Sequence, residues 1–228
     1  MTDVNVEQCR RFLCAHRIGE LQFAEHMQSI KFVIAPDGRL VAPVMVAMLQ
    51  ALETVLFVPM ATLEDDDHMQ LLVTLYQFNE QGPDGGLADK WRIYHGDPPD
   101  VQWAFLDIDA AKFQNAVIDG EAMMQDNPLI PIEPQVCTQL NRQTDALRTL
   151  ALHHAHLEIA HPMLVGVDPL GYDVRGQFDI ARIHATRPLI DAEDAIAHFD
   201  ELLLEVQDQP HPAKAMPERD SQGEQNDS

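Results

Sequence analysis

The sequence predicts an α+β protein, in which an N-terminal split antiparallel β-barrel precedes a small α/β domain made of a helix, three strands and a helix. Short apolar runs separated by turn residues fill residues 29–124, the pattern of a small antiparallel barrel. A proline-rich segment, NPLIPIEP at 127–134, is typical of a linker or a domain edge. We therefore expect domains at 1–130 and 131–207, followed by a disordered tail at 208–228 that lacks a hydrophobic pattern.

The predicted N-terminal domain begins with a helix over 6–17, where Phe12 and Leu13 lie among polar residues. The PDG sequence at 36–38 predicts a tight turn, because proline presets its φ angle and glycine permits a positive one. A Gly-rich loop is expected at 79–90. Strands are predicted for runs rich in apolar and β-branched residues, namely SIKFVIA, LVAPVMVAMLQ, ETVLFVPM, HMQLLVTLYQF, KWRIYHG, VQWAFLDID and FQNAVIDGEAMM.

The predicted C-terminal domain begins with a long helix over 135–160, because apolar residues recur there at helical spacing until Pro162. The run MLVGVDPLGYDVRG has the pattern of a hairpin, and FDIARIHA is predicted to be the third strand. A final helix is expected after Asp191, a good N-cap residue that is followed by Glu193 and Asp194 in the first turn.

The order of these elements, a helix, the VGVDPLGYDV hairpin, a strand and a helix, resembles the small C-terminal domain of the haem-utilisation (HugZ-type) split-barrel proteins. The residues that match the family pattern are Leu140, Asn141, Asp145, Ala146 and Leu147 in the helix, Gly166, Val167, Asp168 and Gly171 in the hairpin, and Asp191, Glu193, Asp194 and Ala195 at the last helix. Gln143 and Thr144 stand where the family helix has an Asp-His pair. By domain order and strand pattern, the preceding barrel is similar to the pyridoxamine 5'-phosphate oxidase-like, FMN-binding split barrel.

The resemblance implies a homodimer with ligand sites at the dimer interface, and either flavin mononucleotide (FMN) or haem as the ligand. Some plastid relatives instead bind an enzyme of tetrapyrrole synthesis. If the chain is an enzyme, the resemblance implies an FMN- or haem-dependent oxidoreductase. The residues themselves identify no catalytic group, because the sequence has no G-x-S-x-G nucleophile motif, dinucleotide fingerprint or P-loop.

The predicted barrel has few positive charges for a flavin phosphate. No Lys or Arg occurs between Arg39 and Lys90, and the loop after VLFVPM carries Glu64 followed by three aspartates at 65–67. A phosphate dianion normally binds Arg, Lys or aligned backbone N–H groups, and these acids would repel it. We therefore expect the usual flavin site to be lost or rebuilt. The acids do not have the alternating spacing of a calcium loop, so we interpret them as a solvated turn.

Lys90, Trp91 and Arg92 are the candidate cofactor-binding residues, because an aromatic ring between two cations can hold a planar anionic ligand. In the alternative interpretation Trp91 belongs to the core and both cations are solvated. FMN and haem are both possible ligands by resemblance, and neither is supported by the residues.

Four histidines lie close together at the end of the predicted long helix: His153, His154, His156 and His161. His153 and His156 have the i, i+3 spacing of one helix face, but a zinc site needs three or four converging ligands and haem needs a large apolar pocket. We interpret the cluster as the end of a structural helix, where His⁺ interacts favourably with the helix dipole. No metal site is predicted.

The net charge of −22 excludes nucleic acid as a favourable partner and disfavours anionic membranes, whereas a protein partner with a basic surface is possible. The cysteines, Cys9, Cys14 and Cys137, form no Cys-x-x-Cys pair and are predicted to be reduced thiols. The absence of a signal-peptide pattern and of a long apolar run leads us to expect a cytoplasmic protein.

Two functions remain open from the sequence. The first is a split-barrel protein related to flavin- or haem-binding haem-utilisation proteins, with a degenerate flavin phosphate site. The second is a non-catalytic interaction or regulatory module, for example in tetrapyrrole metabolism.

Overall fold

The computed structural model describes residues 5–59, 68–98 and 102–208. The acidic run at 64–67 and the predicted tail beyond Asp208 lie outside these ranges. The helices are α1 (Val6–Cys14), α2 (Val46–Leu49), α3 (Gly85–His95), α4 (Gly120–Met123), α5 (Glu133–Leu140), α6 (Thr144–Ala155) and α7 (Ala192–Asp208). The strands are β1 (Ile18–Phe23), β2 (His26–Lys31), β3 (Val33–Ile34), β4 (Leu40–Val44), β5 (Thr54–Val58), β6 (Met69–Phe78), β7 (Gln102–Phe113), β8 (Ala116–Asp119), β9 (Met163–Asp168), β10 (Gly171–Arg175) and β11 (Ile180–His184).

The N-terminal strands form one curled antiparallel sheet in the order β2-β1-β5-β6-β7-β4-β3, with β8 paired to β7. Side chains alternate between its two faces. On the inner face Leu21, Leu56, Leu71 and Ala111 lie opposite one another on successive strands, and all four are buried. This half-barrel, followed by helices and a second sheet, confirms the predicted α+β fold.

The KWRIYHG run was predicted to be a strand, and this prediction is wrong, because these residues form most of α3. Ala88, Trp91 and Tyr94 have helical i, i+3 spacing and are all buried on one face. That face packs on the outer side of β3 and β4, against Trp103 and Phe105. The strand preference of Trp, Ile and Tyr is overridden by this packing.

The predicted long helix over 135–160 is in fact two helices, α5 and α6. They separate at Asn141, whose side chain donates from Nδ2 to the carbonyl oxygen of Leu164 (3.0 Å) and accepts from the Leu164 backbone N–H (2.7 Å). The second helix ends at Ala155 rather than at Pro162, because His156 adopts a left-handed conformation with φ of 54°.

Three further sequence predictions were too simple. The predicted first helix ends at Cys14, the LVAPVMVAMLQ run divides into β4 and α2, and the FQNAVIDGEAMM run divides between the end of β7, β8 and α4. Short helices at the ends of strands are difficult to distinguish from strands by periodicity alone.

The C-terminal sheet is antiparallel, in the order β11-β10-β9, and packs against α5, α6 and α7. Its core includes Leu147, Tyr172, Ile183 and Phe199. The hairpin, the third strand and the last helix agree with the prediction, and Asp191 accepts a hydrogen bond from the Asp194 backbone N–H at 2.9 Å.

A third apolar cluster joins the two sheets. It contains Trp91 and Tyr94 of α3, Trp103 and Phe105 of β7, and Val165 of β9. The C-terminal hairpin therefore packs directly against the helix that covers the barrel. Within the described ranges, no helix has both the length and the apolar content needed to cross a bilayer.

Candidate functional site

A buried network of charged side chains lies between the half-barrel and the C-terminal sheet, with Asp173 at its centre. Arg17 donates from Nη2 to Asp173 Oδ2 at 2.6 Å, and the Tyr94 hydroxyl donates to the same oxygen at 2.9 Å. Arg182 donates from Nη1 to Oδ1 at 3.1 Å. Asp173 is 2% exposed, so these partners replace the water that the carboxylate has lost.

The second carboxylate of the network is Asp168, at the turn of the hairpin. Arg182 donates to both of its oxygens, at 2.6 and 2.8 Å, in a bidentate pair. Asp168 also accepts a hydrogen bond from the Leu170 backbone N–H at 2.7 Å, which holds the turn. The same carboxylate therefore shapes the hairpin and fixes Arg182 beside Asp173.

The network keeps Asp173 ionised. Burial by itself raises the pKa of this carboxyl, but the positive charges of Arg17 and Arg182 outweigh burial and hold the pKa at about 2. The nearby Cys14 thiol has its pKa raised to about 11, mainly by burial and then by the charge of Asp168. Cys14 is thus a protonated thiol at neutral pH, and Cys9, Cys14 and Cys137 are all unpaired, as predicted.

Two glycines of the hairpin make the network possible. A Cβ atom on Gly166 would lie 1.9 Å from the Tyr94 hydroxyl oxygen, so a larger residue would displace Tyr94 from Asp173. Gly171 has a φ of 144°, and a Cβ there would lie 2.1 Å from the carbonyl oxygen of Ile183. The G-x-D-x-x-G motif that carries the family resemblance therefore builds the contact between the two halves of the molecule.

A cavity of about 70 Å³ lies beside this network, where α1, α3, α5 and the hairpin meet. Its lining includes Arg10, Cys14, Arg17, Lys90 and Glu133. We call it the cleft cavity. Its volume admits a few water molecules or a very small ligand, and is far below the range of about 300–1,000 Å³ that is typical of drug-sized ligands.

The structure places Lys90, Trp91 and Arg92 together on α3 but gives them different environments. Trp91 is buried, and its Nε1 donates to the Lys31 carbonyl oxygen at 2.9 Å. Lys90 lines the cleft cavity, with Nζ 3.5 Å from Glu133 Oε2.

Arg92 has different partners from Lys90. It pairs with Glu80 at 2.5 Å and with Asp89 at 3.1 Å, and its guanidinium lies 5.3 Å from the Trp103 ring centre. Both candidate cations are thus already paired with carboxylates.

No pattern in the sequence indicated a second concave surface, which shares Arg17 with the cleft cavity. This surface, called here the histidine groove, has a volume of about 410 Å³. It is lined mainly by apolar side chains and by two histidines from distant parts of the chain, with His16, Ile18, Pro59, His95, Leu157 and Phe178 among its residues. Phe178 is 76% exposed, which is unusual for a large aromatic side chain.

The two histidines of the groove are held in defined orientations. His16 Nδ1 lies 2.8 Å from the Phe12 carbonyl oxygen, and His95 Nε2 lies 3.1 Å from the Phe32 carbonyl oxygen. A carbonyl can only accept, so each of these nitrogens carries its proton and the other ring nitrogen of the neutral form is an acceptor. Burial lowers the pKa of both rings, that of His95 to about 4, so both are neutral at pH 7.

The histidine cluster at 153–161 does not converge. His153 and His154 lie on α6 with their ring centres 4.9 Å apart, whereas His156 lies beyond the helix end and His161 is exposed. Among the described residues, no group of three or more His, Cys, Asp or Glu side chains could hold a metal ion.

Comparisons with known proteins identify the fold and nothing narrower. No family model matches the sequence, and no curated protein matches it. A solved structure of a protein of unknown function from Agrobacterium tumefaciens is similar, with a TM-score of 0.69 and 17% identity over 87% of this chain and 94% of that chain. A haem-binding protein from Mycobacterium smegmatis has a TM-score of 0.43 and 15% identity over 92% of this chain and 100% of that chain. The first likeness shows a shared fold alone, and the second is too low to carry an argument.

Proposed function

We propose that this chain is a ligand-binding split-barrel protein that binds a flat, mainly apolar ligand of the haem type in the histidine groove, and that it does not use FMN. The observation that carries the proposal is the presence of two neutral, oriented imidazoles, His16 and His95, in one apolar groove. A histidine that ligates a metal commonly donates its other ring N–H to a carbonyl, as both of these do.

Within the described ranges, one unpaired cation, Lys31, lies near the groove rather than on its lining. A haem carries two carboxylates on one edge of an apolar disc, so its site needs a cation beside an apolar surface. The charged residues on the lining are Arg17, which is paired with Asp173, and Asp179. Lys31 is not on the lining but lies near His95, whose pKa is lowered by burial and then by the Lys31 charge.

Bound haem would supply an iron centre able to exchange ligands or electrons. His16 or His95 would supply an imidazole ligand to the iron, and Ile18, Leu157 and Phe178 would contact the macrocycle.

The same structure disfavours FMN. Arg39, Lys90 and Arg92, which flank the part of the barrel that lacks positive charge, are each within 4.0 Å of a carboxylate. Arg39 also lies over the Phe105 ring, 3.7 Å from its centre. To bind a flavin phosphate, one of these cations would have to leave its carboxylate. The carboxylate would then be unpaired, which disfavours binding. This supports a degenerate flavin site.

The proposal includes a homodimer formed through the outer face of β1, β2, β5 and β6. Helix α3 covers the outer face at β3 and β4, whereas large apolar side chains of β2 and β6, Met27 and Leu72, are exposed. Met27, Gln22, Val55 and Leu72 lie in one cross-strand row on this outer face, with the polar Gln22 between Met27 and Val55. Met27 and Leu72 are about half exposed. A second copy would bury the apolar side chains of this row in a two-fold interface.

Titration of the full-length protein with haemin and with FMN, followed by visible spectroscopy, tests the proposed ligand. We expect a saturable Soret shift with haemin and no binding of FMN. Replacing both His16 and His95 with Ala should weaken haemin binding at least tenfold, whereas His161→Ala, a change at an exposed histidine, should have no effect. A yellow preparation, tight FMN binding, or no haemin binding at all would overturn the proposal.

The second candidate function, a non-catalytic interaction module, is favoured by one feature of the last helix. The exposed side of α7 is acidic, with Glu193, Asp200, Glu201 and Glu205. Such a surface would attract a partner with a basic patch. Recovery of a basic partner in a pull-down, combined with the absence of haemin and FMN binding, would favour this function.

A further inference from the structure

The two histidines of the groove offer different ring nitrogens to a ligand. His16 donates from Nδ1 to the Phe12 carbonyl oxygen at 2.8 Å, so the acceptor nitrogen of its neutral ring is Nε2. His95 donates from Nε2 to the Phe32 carbonyl oxygen at 3.1 Å, so its acceptor nitrogen is Nδ1. A metal ion binds only the nitrogen that carries no proton. These two hydrogen bonds therefore decide which atom of each ring is available to a metal.

The two available nitrogens are not equivalent for a wide, flat ligand. Nε2 lies between two ring C–H groups at the far end of the side chain, whereas Nδ1 is bonded to Cγ, which leads directly through Cβ to the backbone. The macrocycle of a haem extends from the iron in every direction of its plane. Ligation through Nε2 keeps this plane clear of the backbone of the histidine, and ligation through Nδ1 brings the two together. Of the two rings, that of His16 presents the nitrogen that suits a haem iron.

The positions of the two rings agree with this difference. His95 is the last residue of α3, and its ring centre lies 4.9 Å from that of Trp91 and 6.1 Å from that of Tyr94, both of which are buried. His16 lies just beyond the end of α1, and its Nδ1–H donates to a carbonyl of the last turn of that helix. The negative end of the helix dipole favours electron donation by this imidazole to a metal ion.

We infer that Nε2 of His16 is the atom that ligates the iron of a haem in the histidine groove, and that His95 is a residue of the groove wall that does not bind iron. This assignment rests on the proposed function. It implies that the groove distinguishes porphyrins by their metal. A haem gains a bond from His16, whereas the iron-free macrocycle retains only the apolar contacts with residues such as Ile18, Leu157 and Phe178.

Titration of the full-length protein with haemin and with iron-free protoporphyrin IX, followed by absorbance and fluorescence, separates ligation from packing. The matched variants are His16→Gln and His95→Gln. The amide of glutamine can still donate to the Phe12 or the Phe32 carbonyl oxygen, but it does not replace imidazole as an iron ligand. Wild-type protein should bind haemin about tenfold or more tightly than protoporphyrin IX.

The two variants should respond differently. His16→Gln should weaken haemin binding about tenfold or more and change protoporphyrin IX binding by less than about twofold, because only the iron bond is lost. Retained protoporphyrin IX binding also shows that the groove of this variant is intact. His95→Gln should change both affinities by the same factor, because a wall residue contacts the macrocycle whether or not it holds iron.

The wild-type complex with haemin provides a second measurement, which stands even if His16→Gln does not fold. Paramagnetic iron shifts the NMR signals of the imidazole that binds it, and the neighbours of that ring identify it. The ring centre of His16 lies 4.6 Å from that of Phe12, and the ring centre of His95 lies 4.9 Å from that of Trp91. Shifted signals with contacts to Phe12 are expected, and contacts to Trp91 would overturn the assignment.

The assignment and the proposed function fail in different ways. Wild-type protein that binds neither haemin nor protoporphyrin IX would overturn both. If His16→Gln weakens haemin binding no more than it weakens protoporphyrin IX binding, or if His95→Gln is the variant that selectively weakens haemin binding, the assignment is wrong and the proposal of a haem-type ligand stands.

Discussion

Arg17 and Asp173 are 156 positions apart in the sequence, and their side chains meet at 2.6 Å in the interior of the protein. Arg17 immediately precedes the first strand of the half-barrel, and Asp173 lies on the middle strand of the C-terminal sheet. Each is almost fully buried. This ion pair therefore links the C-terminal sheet to the start of the first barrel strand.

The first prediction concerns Asp173 itself. Replacing Asp173 with Asn keeps the shape of the side chain but leaves the buried charge of Arg17 without its partner and weakens the contact with Arg182. We expect a loss of about 3–5 kcal/mol in the free energy of unfolding, measured by urea denaturation. The exposed Asp179→Asn variant should change it by less than about 0.5 kcal/mol. Equal stability of the two variants would show that the network does not hold the fold together.

The second prediction concerns the close approach of Gly166 and Tyr94. Gly166→Ala should destabilise the protein by about 1–3 kcal/mol, because the new methyl group overlaps the Tyr94 hydroxyl. Tyr94→Phe removes that oxygen, so the double variant should be more stable than the sum of the two single effects implies. Gly86→Ala is the control, since its Cβ would meet nothing within 4 Å. Strict additivity in this cycle would contradict the steric explanation.

The third prediction concerns stability at acidic pH. Burial lowers the pKa of His95 and of His184 from 6.5 to about 4, with a further contribution from nearby positive charges. The unfolded chain takes up these protons below pH 6.5 and the folded protein does not. The stabilisation is therefore complete above pH 6.5 and is lost as the pH falls towards 4.

The total expected loss of stability is a few kcal/mol. Urea unfolding at pH 7, 5.5 and 4.5 measures it, and His184→Gln should flatten the profile. Asp173, with its pKa at about 2 against 3.8 normally, adds a further loss only below about pH 4. A profile that is level from pH 7 to 4.5 would refute the assignment.

The fourth prediction tests the proposed dimer. Wild-type protein should sediment as a dimer at micromolar concentration, and Leu72→Lys should give a monomer, because it places a charge beside Val55 in the proposed interface. Leu204→Lys introduces the same change at an exposed leucine of α7 and should leave the dimer intact. A monomeric wild-type protein, or a dimeric Leu72→Lys protein, would rule out this interface.

Local chemistry made part of the fold predictable. The hairpin around Asp168 and Gly171 was predicted correctly because a turn needs particular residues at particular positions. The cap of α7 at Asp191 was predicted for the same reason. In contrast, α3 was wrongly predicted to be a strand. The spacing of Trp91 and Tyr94 identifies a buried helix face only when the barrel surface that they pack against is known.

The candidate sites were harder to predict than the fold. No sequence pattern links Arg17 to Asp173 or His16 to His95. The members of each pair come together only in the tertiary structure. One clue was available, because the glycine of the hairpin motif at Gly166 implies close approach of another group. The sequence alone does not say that this group is the hydroxyl of Tyr94.

The apolar cluster that joins Val165 to Trp91 and Phe105 has a consequence for folding. Helix α3 and the hairpin pack against each other in this cluster. Arg17 meets Asp173 only when these two elements are packed together. A fragment that ended near residue 130 would leave this surface and this charge in contact with water. Barrel and C-terminal sheet are therefore expected to unfold in a single cooperative transition, as one thermodynamic unit built from two sheets.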